Sequence, residues 1–512
     1  MELVYAIAMQ VVDEGAKAAG KPKFIALNRA QSYWGEIDLE SLIEADHPAR
    51  AIWALTGRLD LGRFEEGIRS REGTAGAPRH SPQLLVSVWV YAYSQGISSA
   101  RAVERMMSYE PGLRWLCADD PINYHTLSDF RSSQKERLND LFAKVLAVME
   151  EEGLIDLRTL MQDGTKVRAV ASKWSFHGEG TLRNKWEQAR ALVEELEKQS
   201  EKESGENEEK RRTAARRRAA QARLQRMESS LEELKIRQES VAPSKRNQLR
   251  VSDSEPEARK MLQTDGGFAP SYNVQITTEA KSKMVVGIEV VNEGNDTHQL
   301  VPALDRVREH YGAQPERIVA DGGYATRENV ETTESQRVQL VAPWKDATSR
   351  EAGARKTNEL DPEFAPSRFQ MGADGNGLQC PAGNVLVQIK TRIHHGQTYM
   401  VFQARQEHCA ACLHQARCLK KDEPARRVER VCESDAMRAY LARQQQPAIQ
   451  ELYRARKAVA EFPQLRFKGN WGLRQFSMRG LAKVNREAIW IALAHNVSQW
   501  FRLHWIPRLA TT

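Results

Sequence analysis

The stretch Ile318-Val319-Ala320-Asp321-Gly322-Gly323-Tyr324-Ala325-Thr326 decides how this chain is read. Three apolar residues of the kind that fill a buried strand deliver an aspartate straight into two glycines. A carboxylate at the end of a strand is held by rigid backbone yet stays open at the sheet edge, where α/β sheets bind ligands. A second junction repeats the pattern. Residues 154–164, Leu-Ile-Asp-Leu-Arg-Thr-Leu-Met-Gln-Asp-Gly, are short, apolar and strand-forming, and they deliver Asp163-Gly164. Either pair alone is a common turn. Two of them supply the hard oxygen ligands that Mg²⁺ prefers.

Between the junctions, Tyr272, Val274 and Ile276 alternate as in a half-buried strand, and a turn at Glu279 to Lys281 predicts a hairpin. A helix ending at Gly312 follows. Strand with carboxylate, hairpin, helix and strand with carboxylate is the order of a mixed α/β sheet.

Residues 82–150 read as helices. Pro82 suits a first turn, Leu84, Leu85, Val88, Trp89 and Ala92 recur at helical spacing, and Gly96 stops the run. A second helix covers 99–109. In the third, over 127–152, Phe130, Leu138, Leu141, Phe142, Val145 and Met149 share a side. Residues 185–250 are charged, with Leu224, Met227, Leu231 and Leu234 in a heptad-like seam. From Lys210 to Arg223 that segment has seven Lys/Arg and no acid. Such a run is either the solvated face of a coiled-coil-like insertion or an arm that contacts nucleic acid.

A third carboxylate, Glu461, sits among Val459, Ala460 and Phe462, with Lys457 four residues before it and Lys468 seven after. Helical spacing puts the three on one face provided Pro463 does not break the helix. One acid ringed by Lys457, Lys468, Arg474, Arg479 and Lys483 makes sense beside phosphates.

The chain has 512 residues, 41% of them hydrophobic, enough for two to four domains with real cores. Lys and Arg outnumber Asp and Glu by 75 to 68, a mild +7 compatible with a polyanionic partner. Near the N-terminus, Asp13 and Glu14 interrupt a short apolar run that lacks a basic leader, and no window has the apolar length of a membrane span. A cytoplasmic protein with no membrane partner is expected. Six cysteines are too few for a disulfide scaffold, and five lie between Cys380 and Cys432. Cys380, Cys409, Cys412 and Cys418, with their Cys-x2-Cys pair, suit a closed structural Zn²⁺ site. Cys432 is a spare, His408 adjoins Cys409, and the alternative is a group of reduced, partly buried thiols.

These features together resemble the DDE transposases of bacterial insertion sequences. The likeness runs from Asp38 to the last helix. It rests on the segments 80–105 and 125–131, on Asp-Gly-Thr-Lys-Val-Arg-Ala at 163–169, on Tyr-Asn-Val-Gln at 272–275, on 319–326 and on 459–484. The resemblance implies a ribonuclease H-like catalytic domain whose triad, Asp163, Asp321 and Glu461, binds two Mg²⁺ (or Mn²⁺) ions. It implies double-stranded DNA partners, the terminal inverted repeats and the target, and a homodimer or higher oligomer on DNA. The setting would be the bacterial cytoplasm, associated with the nucleoid. The helical N-terminal unit, with Arg101, Arg105 and Arg131, would read the DNA ends, and the Cys-rich insertion would staple the fold.

The family signature Y-x2-R-x3-E-x6-K is matched by Glu461 and Lys468, but Lys457 holds the Arg place and Arg454 the Tyr place. Tyr453 and Arg456 are each displaced by one. The expected units are an N-terminal extension (1–24), a helical DNA-end-binding domain (25–152), and the ribonuclease H-like domain (153–184 and 251–345). The charged helical insertion (185–250), the Cys-rich insertion (346–435) and a C-terminal helical part with the catalytic Glu (436–512) complete the chain. A nuclease with the same site but no strand transfer, and a non-catalytic DNA-binding regulator, are the alternatives.

Overall fold

The computed structural model describes residues 38–66, 68, 78–132, 135–202, 207–344, 361–372, 377–394, 397–419 and 423–510. The N-terminal extension (1–24), the start of the helical domain and the opening of the Cys-rich insertion (346–360) lie outside them.

The central sheet has six strands: β1 (Thr159–Arg168), β2 (Arg259–Leu262), β3 (Phe268–Glu279), β4 (Val285–Val291), β5 (Arg317–Val319) and β6 (Gln339–Val341). β1 lies between β3, antiparallel, and β5, parallel; β6 continues parallel beyond β5. β3 carries both β2 and β4 on its other edge, antiparallel, at different heights. The path β4-β3-β1-β5-β6, three antiparallel strands and then two parallel ones, is the ribonuclease H-like order.

The apolar run that opens the sequence is explained by burial on both faces. Ile318 and Ala320 join Leu300, Leu304, Val330 and Leu340 on one face of the sheet. Val319 joins Met161, Val341, Val459 and Ala460 on the other. The first group comes partly from α7 (Leu300–Tyr311) and α8 (Arg327–Ser335), the second from α12 (Pro447–Leu465).

Among the helices that precede the sheet are α1 (Pro48–Thr56), α2 (Pro82–Ser94), α3 (Tyr124–Arg131) and α4 (Lys135–Glu151), with shorter ones at Gly62–Glu65, Ala100–Met106 and Pro111–Leu116. They share one hydrophobic cluster with β3, β4 and α13 (Leu481–Trp500). α13 is nearly buried all round, and it meets β4 through two asparagines. Asn485 accepts from the Val290 N–H at 2.9 Å and donates to the Val290 carbonyl at 2.9 Å. Asn496 does the same for Val285, at 2.8 and 2.7 Å. Among the described residues no further strand lies beside this edge, and the backbone groups of Val285 and Val290 are satisfied there by side chains, which a buried edge requires. Arg131 is buried, stacked on Trp89 and bonded to the Ser98 carbonyl and Ser477. It joins α3 to the C-terminal part and is not free to read DNA as expected, whereas Arg101 and Arg105 are exposed.

The charged insertion is a helical hairpin of α5 (Glu179–Lys202) and α6 (Asn207–Glu239). The heptad-like seam finds its partner within the chain: Leu234 packs on Leu182 and Val251, and Leu224 on Val193, Leu196 and Ala220. The buried carboxylate of Glu255, just after the hairpin, accepts from Ala171 N–H, Tyr272 Oη and Gly480 N–H at 2.9, 3.0 and 3.1 Å. It ties the end of β1, β3 and the start of α13 together.

Asn496→Ala leaves a buried N–H and a buried carbonyl of Val285 without partners, so it should lower unfolding free energy by about 2 kcal/mol or more. Gln188→Ala, exposed on the hairpin, should change it by less than about 0.5 kcal/mol. Urea unfolding of both variants checks the contrast.

Candidate functional site

β1 and β5 set the site. Their parallel pairs end at Met161↔Val319. Asp163 and Asp321 each lie two residues past that pair, so two carboxylates 158 positions apart in sequence arrive at the same level of neighbouring strands. Period-two alternation points Asp163 to the Met161 side of the sheet, the side covered by α12.

Asp163 was expected at a strand end, and the structure corrects this. β1 runs on to Arg168, paired with β3 throughout, and Asp163 stands opposite Ile276 in mid-strand. Its Oδ1 accepts the Gly164 N–H at 2.9 Å and its Oδ2 lies 3.2 Å from Arg456 Nη1. Burial lifts its carboxyl to about 6; Arg456 opposes the shift, and the charge of Asp321 adds to it.

Asp321 does leave a strand end. Its Oδ1 accepts the Gly323 N–H at 2.7 Å, which fixes the carboxylate over the turn. A Cβ on Gly323 would lie 2.9 Å from Asp321 Oδ1, so the glycine makes room for the carboxylate to fold over the turn.

Gly164 has a different reason. A Cβ there would lie 2.3 Å from Asp296 Oδ1, so the glycine makes room for a third aspartate. Asp296 sits in the loop between β4 and α7 and accepts from Asn273 Nδ2 and Gln275 Nε2 at 2.8 and 2.6 Å. Gln275 in turn accepts from Gln162 Nε2 at 2.9 Å and from the buried Tyr324 Oη at 2.6 Å. The Tyr-Asn-Val-Gln motif is thereby explained: Tyr272 and Val274 fill the core, while Asn273 and Gln275 hold Asp296. Tyr324 packs under the turn, fully buried. Alternating polar residues in an otherwise buried strand were the signal for this network.

α12 presents Tyr453, Arg456, Val459 and Ala460 to the sheet. Arg456, displaced by one from the family register, is the basic residue that reaches Asp163; Lys457 is exposed. Glu461 is turned about 100° round the helix from Ala460. It is half-buried and makes no hydrogen bond or ion pair with a described residue. Pro463 does not end the helix, which runs to Leu465 and then widens into a π-helical turn, Arg466–Asn470. That turn takes Lys468 out of plain helical register with Glu461. Lys468 is half-buried; burial lowers its pKa and the charge of Asp163 raises it. Arg474, Arg479 and Lys483 are exposed. Residues 474–476 extend the end of β1, with Arg168 N–H bonded to the Arg474 carbonyl at 3.1 Å and Phe476 N–H to the Arg168 carbonyl at 2.9 Å.

Among the described residues, no three Cys, His, Asp or Glu side chains stand close enough together to hold an ion. The structure therefore joins Asp163, Asp321, Arg456 and Lys468, and leaves Glu461 apart. Asp163 and Asp321 fit a hard divalent cation, because Mg²⁺ commonly takes one or two carboxylates and completes its shell with water and phosphate. Cys380, Cys409, Cys412 and Cys418 all line one small cavity, far from β1 in sequence, and Cys432 does not.

Residues 37–133 match a family model described as a transposase domain (DUF772), and residues 379–501 match one described as a transposase DDE domain. The chain is therefore of the transposase class. The two matches cover 97 and 123 of the 512 residues and liken those two segments to transposase domains, the second of the DDE kind. No curated protein matches the chain. Among solved structures, a cryo-EM structure of a piggyBac transposase synaptic complex with hairpin DNA is similar over 91% of this chain and 81% of that chain. The identity is 9% and the TM-score 0.22, and at that distance nothing about the site follows from it.

A carboxyl held at about 6 when folded and near 3.9 when unfolded keeps its proton longer in the fold. Its stabilising contribution is complete below about pH 4 and is lost as pH rises through about 6, by roughly 3 kcal/mol at most. Thermal melts of the metal-free protein from pH 4 to 7.5 should show that loss. Asp163→Asn should flatten the curve across this window and raise the melting temperature at pH 7.

Proposed function

We propose that this transposase binds the terminal inverted repeats of its own element and catalyses metal-dependent strand cleavage and strand transfer at the Asp163–Asp321 centre. The observation that carries the reading is the register of β1 and β5, which sets the two carboxylates side by side beneath α12. Like charges brought together in a half-buried cleft favour a cation between them.

Asp163 and Asp321 would hold Mg²⁺ or Mn²⁺, and Glu461, which stands apart from them here, would join as the third acid of a two-ion set once brought to the cleft. Bound there, the metal lowers the pKa of water or a 3′-hydroxyl and neutralises charge on the scissile phosphate. The chain's own groups orient the strand. Gly323 holds the Asp321 carboxylate by its N–H, and the Asn273–Gln275–Tyr324 network keeps Asp296 fixed behind Gly164. Arg456 balances Asp163 and has a guanidinium suited to phosphate once it is released from that ion pair. Lys468 supplies a half-buried charge beside the same acid. Lys457, Arg474, Arg479 and Lys483, all exposed, add affinity for the DNA backbone that weakens with salt. Arg101 and Arg105 are the exposed cations of the N-terminal helices available to the DNA ends. Joining two ends and a target calls for a homodimer or higher oligomer on DNA.

Labelled DNA carrying the flanking terminal repeats, incubated with purified protein and Mg²⁺ or Mn²⁺, should give both nicked and strand-transferred products. Asp321→Ala should reduce both at least about a hundredfold, the upper range of what even outer partners of metal ligands cost. Specific nicking without transfer would make the protein a nuclease, and unchanged activity in Asp321→Ala would remove the site. Lys457→Ala should weaken binding and lower its salt dependence while leaving the cleavage rate of bound DNA within about twofold.

A further inference from the structure

The Cys-rich segment forms a second sheet, remote in sequence from the acidic centre. Its strands are β7 (Gln370–Met371), β8 (Gly377–Gln379), β9 (Val385–His394), β10 (Gln397–Ala404) and β11 (Arg427–Val431), all antiparallel in the order β11-β10-β9-β8-β7. Two short helices, α9 (Gln406–Ala410) and α10 (Gln415–Cys418), lie between β10 and β11. Among the described residues, the buried core of this sheet is Phe369, Leu378, Leu386, Phe402, Ala404 and Val428, with Met400 and three of the cysteines packed against it. Six apolar side chains are few for a unit of this size, and small folds of this kind are held by disulfides or a metal. All the cysteines are free, so no disulfide holds this one.

The four thiols are gathered from two places. Cys380 follows β8 and opens a tight turn: its N–H bonds to the Asn384 carbonyl at 2.8 Å, and Gly383, at φ +87°, donates to the Cys380 carbonyl at 2.8 Å. Cys409 and Cys412 span the end of α9, with Cys412 N–H on the Cys409 carbonyl at 3.2 Å, and Cys418 closes α10. All four line one cavity of about 30 Å³. Three of the sulfurs accept backbone N–H groups: Cys380 from Asn384 at 3.3 Å, Cys412 from His414 at 3.4 Å, and Cys409 from Arg426 at 3.5 Å. A neutral thiol is a weak acceptor, and amides converging on three of them suit sulfurs that carry charge.

We propose that Cys380, Cys409, Cys412 and Cys418 bind one structural Zn²⁺, with no open coordination position, that pins α9 and α10 against the turn between β8 and β9. The four sulfurs border one cavity without closing on a common point, and zinc would draw them onto it. Zinc replaces four thiol protons with four Zn–S bonds, and those protons go to solvent. The geometry also selects among the cysteines. Cys432 is exposed, and its N–H bonds the carbonyl of Thr398, six residues along β10 from Ala404. That is about 20 Å of strand from the cavity end of the sheet. His408 lines the same cavity and is the one alternative ligand there.

The test is the metal content of the full-length protein as purified. One zinc per chain is expected, retained in Cys432→Ser and His408→Ala and reduced well below one in Cys409→Ser and Cys412→Ser. Thiol titration of the folded wild type covers the case in which those variants do not fold. Among Cys380, Cys409, Cys412, Cys418 and Cys432, only Cys432 should react until a chelator is added, after which the other four should react together. Zinc-free protein with all five thiols reactive from the start would overturn the proposal, as would full zinc content in a soluble Cys412→Ser variant. Neither readout depends on DNA cleavage, so failure of the transposition chemistry would leave this result unaffected.

Discussion

Three residue pairs, Thr159↔Arg317, Leu160↔Ile318 and Met161↔Val319, hold the parallel strands β1 and β5 together. A shift of one residue in that register would turn either aspartate to the other face of the sheet, because side chains alternate with period two. The register is fixed by burial on both sides. Ile318 must enter the α7–α8 side and Val319 the α12 side, and each has a closed apolar cluster to enter. Hydrophobic packing therefore determines where two charges meet.

The charges are costly where they stand. Asp163 is largely buried and shares its cleft with Asp321, and one guanidinium, from Arg456, offsets part of that cost. The same arrangement is useful to a metal enzyme, since a cation entering the cleft relieves a strain already present. Rigid support surrounds it. Asp296 is held by two amides, Asp321 by the Gly323 N–H, and the far edge of the sheet by Asn485 and Asn496 of α13. Through α13 the N-terminal helices belong to the same packed body as the strands that carry the two aspartates, so the surface carrying Arg101 and Arg105 is held in a defined relation to the cleft.

The fold was legible where its signal is local. The apolar run at 318–320, the alternation at Tyr272, Val274 and Ile276, and the helical spacing after Pro82 each specify an element by burial pattern alone, and the elements are present. The order of those elements led to a mixed sheet. What stayed hidden depends on contacts distant in sequence. Gly164 looks like a turn residue, yet it lies mid-strand because Asp296, 132 positions later, occupies the space of its missing side chain. Arg131 looks like a surface cation and is buried against Trp89. Arg456 rather than Lys457 faces Asp163, because the apolar stripe of α12 sets the rotation of the helix and leaves Glu461 on its flank. The heptad seam of α6 was readable, but not that its partner was α5 of the same chain.

The central claim is that Asp163 and Asp321 form one metal-binding centre. Local hydroxyl-radical cleavage by Fe²⁺ substituted for Mg²⁺, followed by mapping of the fragments, tests it most directly because the backbone is cut only near the bound ion. Cuts are expected in two segments, around 163 and around 321, with weaker cutting along α12, all lost in Asp321→Asn and competed away by excess Mg²⁺. Cutting confined to one of the two segments, or centred elsewhere and unaffected by that substitution, would contradict it.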